Sequence, residues 1–194
     1  DLTDPRLGET LDRLQRHPKF KGVRHPVHDE PDVNWVLRDD VLRGLRELAT
    51  RGLPYDLLFR PPHLRLIPQI AESAPELRMV IDHLAKPDIK NHDRKTWAAD
   101  IANVARHTNV MCKLSGMVTE ANWNKWDLAD FEFYLDVVFE AFGEDRLMIG
   151  SDWPVCLLAG SYERVFAAAL EAVGPMSEEE EGKLLGRNAI EFYG

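Results

Sequence analysis

The chain has 194 residues, 44% of them hydrophobic and 29% charged, with 24 Lys and Arg against 33 Asp and Glu for a formal net charge of -9. That length suits one sizeable core, and the charge argues against nucleic acid or an anionic membrane as the main partner, because phosphate binding needs a basic face. Two cysteines, Cys112 and Cys156, make no disulfide framework and suit a reducing cytoplasm, and no apolar stretch approaches the roughly 20 residues that span a bilayer.

Short β-rich runs alternate with amphipathic helices along the whole chain. The first run is Phe20 to His25, followed by a loop rich in Asp, Glu and Pro. A helix is predicted from Asp39 or Asp40 onward, with Val41, Leu42, Leu45 and Leu48 on one face and Gly52 as its stop. Tyr55 to Arg60 is the second run, closed by Pro61-Pro62, and a helix from about His63 to Ser73 buries Leu64, Ile67 and Ile70. The third run, Met79 to Ala85, ends at Lys86-Pro87 and precedes a helix over about 95–107. Val110 to Gly116 is the fourth. Past a Trp-bearing loop, a helix carries the stripe Phe131, Leu135, Val138 and Phe142 and stops at Gly143. The fifth run spans Arg146 to Trp153. Two helices finish the chain, one begun near Ser161 and one opened by Ser177 with Glu180 three residues on, a capping box.

Strands alternating with helices indicate parallel βαβ units, in which the site lies at the carboxyl ends of the strands. Doubly wound sheets and (β/α)8 barrels share this alternation. No GxGxxG and no GxxxxGK[ST] occurs in the chain, which favours the barrel. No repeat or linker divides residues 1–194, so one domain is expected.

The unusual polar residues fall after the strands and converge on one mouth: Arg24-His25, Arg60, Asp82-His83, Lys113-Ser115 and Ser151-Asp152-Trp153. Asp152 follows the apolar run Leu147-Met148-Ile149 and is a candidate general base or metal ligand, the alternative being an Asp that caps a turn. Neighbouring strand residues face opposite sides, so only one of Asp82 and His83 is expected to point into the mouth, and His83 is the choice. A neutral imidazole there can ligate metal, polarise a carbonyl or orient a water. Arg24, His25 and Lys113 are candidate contacts for substrate oxygens, or structural partners of carboxylates. Trp123, Trp126 and Trp153 are candidate substrate-binding pocket walls for the apolar faces of a sugar ring, or packing residues. Cys112 and Cys156 read as buried apolar residues, and no CxxC, HExxH or GxSxG occurs.

The segments "FKGVRHPVHDEPD", "LPYDLLFRPPHL", "MVIDHLAKPDI", "CKLSGMVTEA", "RLMIGSDWPVC" and the closing "GRNAIEFYG" resemble the amidohydrolase-related family of metal-dependent hydrolases, which includes sugar lactonases such as L-fuconolactonase, and pyrone-dicarboxylate lactonase. The resemblance runs in order through essentially the whole chain. It implies an α/β fold of the (β/α)8 TIM-barrel type and opening of a lactone ring. It places Asp152 as general base at the end of strand eight, His83 on strand six, Arg24 and His25 at strand four and Lys113 at strand seven. It implies no cofactor, or one divalent metal, with zinc the first choice and His83 and Asp152 among its ligands. A small lactone is the expected partner, in a cytoplasmic protein able to form homo-oligomers. The chain lacks the His-x-His pair that opens relatives, so about the first three strands are expected to be absent from it. Two other readings are a metal-dependent decarboxylase or amide hydrolase on the same barrel, and an inactive fragment that needs a partner.

Overall fold

The computed structural model of the protein describes residues 1–92 and 94–194. The strands are β1 (Val23–His25), β2 (Tyr55–Leu57), β3 (Met79–Ile81), β4 (Val110–Leu114) and β5 (Leu147–Ile149). The helices are α1 (Leu7–Leu14), α2 (Asp39–Thr50), α3 (Pro61–Leu64), α4 (Ile67–Ser73), α5 (Lys95–Val104), α6 (Met117–Glu120), α7 (Ala129–Phe142), α8 (Tyr162–Val173), α9 (Glu178–Gly182) and α10 (Asn188–Tyr193).

All strand pairs are parallel and the sheet order is β1-β2-β3-β4-β5, the order of the chain. Each crossover therefore advances one strand in the same direction. Because such crossovers are right-handed, their helices stack on one face of the sheet, as in a barrel wall; a doubly wound sheet reverses order and carries helices on both.

Side-chain alternation agrees. Tyr55, Leu57, Met79, Ile81, Val110, Cys112, Leu114 and Leu147 join the main core with Leu45, Ile67, Ile70, Trp97, Ile101, Phe131 and Leu135 of the helices. The opposite face carries a second cluster, Val80 and Met148 under Phe192, with Met111 and Tyr193 packed against it. Asn188 brings α10 to that face by donating to the carbonyls of Glu144 at 2.6 Å and Leu147 at 2.7 Å.

The helix stops are as expected: Gly52 and Gly143 have φ of 64° and 67°, a region a side chain rarely occupies. The capping box forms, with Ser177 N–H donating to Glu180 at 2.7 Å and Glu180 N–H to Ser177 Oγ at 3.3 Å. Beyond it the expected single helix is interrupted by a π-helical stretch, Lys183–Arg187. Helix α1 was not expected, because only Leu7 and Leu11 of its eight residues are buried and so short a stripe barely shows in sequence. No helix among the described residues is long and apolar enough to cross a membrane.

Candidate active site

The third run does not stay a strand to Ala85. β3 ends at Ile81, and His83, Leu84, Ala85 and Lys86 take φ of 55°, 53°, 56° and 53°, four consecutive non-glycine residues in the left-handed region. Each costs about 1–2 kcal/mol in L-residues, so the turn persists only where its surroundings fix it. Leu84 and Ala85 are fully buried. The Trp97 indole donates to the Leu84 carbonyl at 2.8 Å, the Lys86 amide donates to the His83 carbonyl at 2.7 Å, and Lys86 Nζ pairs with Glu120 at the end of α6.

This turn changes the expected choice between Asp82 and His83. Asp82 lies on the inner face with Lys113, and His83, carried out of strand alternation, also reaches the mouth. Both members of the pair serve one end of the sheet, because the strand register that would have separated them stops one residue earlier.

His83 Nε2 lies 3.3 Å from Asp152 Oδ1, and both side chains are about nine-tenths buried, at 10% and 11% exposure. Asp152 itself sits at φ 57°, so the chain after β5 also turns in the left-handed region to present its carboxylate. Burial pushes the Asp152 carboxyl above its ordinary range, against the attraction of Lys86. Burial likewise lowers the His83 imidazole to about 4, even though Asp82 pulls it up. His83 is therefore neutral at physiological pH. On its other side, Nδ1 lies 2.7 Å from Ser115 Oγ, a buried hydroxyl just past β4.

Gly116, next to Ser115, has φ 68°, and a Cβ there would stand 2.7 Å from His83 Cβ and 2.9 Å from Cγ. Gly116→Ala is expected to destabilise the protein by about 1–3 kcal/mol through backbone strain and crowding, and to displace the imidazole. A denaturant titration and the His83 ring signals in NMR check both. Unchanged ring signals would show that His83 does not depend on this clearance.

Arg24 and Lys113 are anchored below this tip. Lys113 Nζ lies 2.7 Å from Asp82 Oδ1 and 2.6 Å from Asp56 Oδ2, while Arg24 Nη1 donates to Asp82 Oδ2 at 3.2 Å. Tyr193 OH donates to both Asp56 oxygens at 2.8 and 2.9 Å, from 137 residues away. Burial alone would raise Asp82, but Lys113 and Arg24 outweigh it and hold the carboxyl below its usual range. Burial would lower the Lys113 ammonium, and Asp82 with Asp56 outweighs that too, keeping it charged. Arg24 remains half exposed.

His25 stands apart from this group. It bonds Glu30 at 2.7 Å and stacks on Trp35 at 4.3 Å, which pins the loop after β1. Trp153 is 64% exposed on the rim and Trp123 is also exposed, whereas Trp126 is buried, donating to the Ala159 carbonyl under Arg164. Cys112 and Cys156 are both fully buried, as expected, and burial pushes the Cys112 thiol up to about 12.

Reading the sequence missed the orienting groups: Asp56, Tyr193, Glu120 and the Ser115–His83 contact. Lys113 and Ser115 do share a face by alternation, which was the available signal. Tyr193 has no local signal at all.

A catalytic zinc takes three protein ligands. His83 and Asp152 supply two donors, and among the described residues no group of three or more His, Cys, Asp or Glu is placed to hold an ion. This donor set alone does not fit a resident zinc.

An amidohydrolase family model matches residues 1–194. An L-fucono-1,5-lactonase of Burkholderia multivorans is 38% identical over all of this chain and 69% of its own length. A crystal structure of an amidohydrolase from Burkholderia multivorans with bound zinc superposes with a TM-score of 0.94 at 35% identity, over 100% of this chain and 70% of that one. A 2,6-dihydroxybenzoate decarboxylase from Rhizobium, at 13% identity and a TM-score of 0.62 over 95% of this chain and 66% of its own, shares the fold alone. The five parallel strands in chain order, the helices outside them and the match along every residue have one explanation: the chain belongs to the amidohydrolase family and carries part of its (β/α) barrel.

Proposed function

We propose that the protein hydrolyses the ring ester of a sugar-type lactone, with Asp152 as general base. The observation that carries this is the Asp152 carboxylate, mostly buried at the carboxyl end of β5 and 3.3 Å from a neutral His83. The lactonase name of a relative 38% identical over the whole chain supports the substrate class.

In this reading Asp152 takes a proton from a water as its oxygen attacks the lactone carbonyl carbon. His83 faces Asp152 Oδ1 through Nε2, which leaves the other carboxylate oxygen for the water. The carbonyl carbon–ring oxygen bond then breaks, the ring oxygen receives the proton held by Asp152, and a hydroxy acid leaves. The free part of the Arg24 fork is suited to a substrate oxygen, since one of its donors is already placed by Asp82. Lys113 acts through Asp82 and Asp56 rather than on substrate. Trp153, exposed on the rim, offers a face to a sugar ring.

Two donors at the site are fewer than a zinc needs, so no step is assigned to a metal. The zinc in the related crystal structure belongs to that protein. The decarboxylase alternative rests on likeness at 13% identity, which shows the fold alone.

The test is a pH-indicator assay of the purified protein on a panel of aldonolactones, L-fucono-1,5-lactone included. Acid release above background is expected for at least one member. A flat panel, before and after added zinc, overturns the lactonase reading.

A further inference from the structure

We propose that Ser115 is a positioning residue: its hydroxyl donates to His83 Nδ1 and so keeps the imidazole proton on Nε2, the nitrogen that faces Asp152. The proposal rests on the reading of Asp152 as an ionised base. An ionised carboxylate only accepts hydrogen bonds, so an imidazole nitrogen 3.3 Å from Asp152 Oδ1 is favourable only if it carries a proton. A neutral imidazole has one proton, which leaves Nδ1 bare.

Ser115 Oγ stands 2.7 Å from Nδ1, and both residues are buried. A serine hydroxyl rotates to donate or accept, and against a bare nitrogen it donates. The backbone holds the pair in place. His83 sits at φ 55° in the left-handed turn, and Gly116, beside Ser115, is the residue whose missing Cβ clears the imidazole. Two turns on different strands, after β3 and after β4, thus meet at one hydrogen bond.

The consequence is chemical. With an N–H at Nε2, 3.3 Å from Oδ1, that oxygen is drawn to His83 and the other Asp152 oxygen is left for water. For metal-bound histidines, losing the partner that orients the ring costs about 10- to 100-fold, and a loss of that order is expected here. The loss belongs in kcat, because the contact lies on the far side of His83 from substrate.

The experiment records long-range 1H–15N correlations of the His83 ring in 15N-labelled protein, for wild type, Ser115→Ala and Ser115→Thr, with kcat and KM measured for each on the lactone that is hydrolysed. Wild type is expected to show the Nε2–H tautomer. Ser115→Ala is expected to mix the tautomers and lose about 10- to 100-fold in kcat with KM little changed, and Ser115→Thr to restore both. Should Ser115→Ala fail to fold, Ser115→Cys, with a weaker donor of similar size, takes its place with an intermediate effect. A wild-type His83 protonated on Nδ1, or a folded alanine or cysteine variant with wild-type tautomer and kcat, overturns the proposal. Asp152→Asn on the same substrate separates the two readings: full activity there sinks Asp152 as base, whereas an inactive Asp152→Asn beside an unaltered Ser115→Ala sinks only the role of Ser115.

Discussion

Asp152→Asn lowers lactone hydrolysis by about 10²- to 10⁴-fold, the contribution of a well-placed general base, while leaving the fold intact. The amide keeps the size of the carboxylate and can still meet His83 Nε2 through its oxygen, so what is lost is the ability to take a proton from water. Burial raises the Asp152 carboxyl above its ordinary range. A base works only when deprotonated, so kcat/KM should fall on the acid side, with a limb that begins higher than for a solvent-exposed aspartate. His83, lowered to about 4, adds no limb near neutrality. Rates from pH 4 to 8 for both proteins are the check; an Asn variant within tenfold of wild type would remove Asp152 from the mechanism.

Lys113→Met is expected to cost about 3–5 kcal/mol of stability, the range for removing one partner of a buried ion pair. The ammonium stands 2.7 Å from Asp82 and 2.6 Å from Asp56, and the Asp82 side chain is only 1% exposed. Methionine fills the space but leaves Asp82 to Arg24 at 3.2 Å and Asp56 to the Tyr193 hydroxyl. The comparison with Lys113→Met/Asp82→Leu is the sharper part. Removing both charges should recover much of the loss, since the penalty comes from an unpaired buried carboxylate. Asp82 is held below its unfolded value, so its contribution is present above pH 3.8 and is lost as the pH falls through the folded value. Urea titrations of both variants decide it, and a single-mutant loss below about 1 kcal/mol would mean that water reaches this cluster freely.

The strands and helices were legible in the sequence because two periods carry them. Alternation put Val80 and Met148 on one face and Met79, Ile81 and Leu147 on the other, and the helical stripe of Phe131, Leu135 and Val138 is buried as read. Asp152 was legible because a carboxylate after a buried strand needs a reason, and His83 because it follows one. The left-handed turn was not. Nothing in Asp82-His83-Leu84-Ala85-Lys86 asks for positive φ, since none of these is glycine or asparagine; the turn is imposed by contacts with Trp97, Glu120 and Ser115, all far along the chain. For the same reason Tyr193 could not be foreseen as a partner of Asp56. Arg24 and Lys113 lie at this end with Asp82 between them, an arrangement that a sequence does not show.

The most direct test of water attack assisted by Asp152 is a single turnover in H2(18)O with enzyme in excess, followed by mass spectrometry of the product and of the peptide containing Asp152. The expected result is one heavy oxygen in the product carboxylate and none in Asp152. Label in Asp152, with an unlabelled product carboxylate, would show that the carboxylate attacks the carbonyl itself, and would contradict the role assigned to it here.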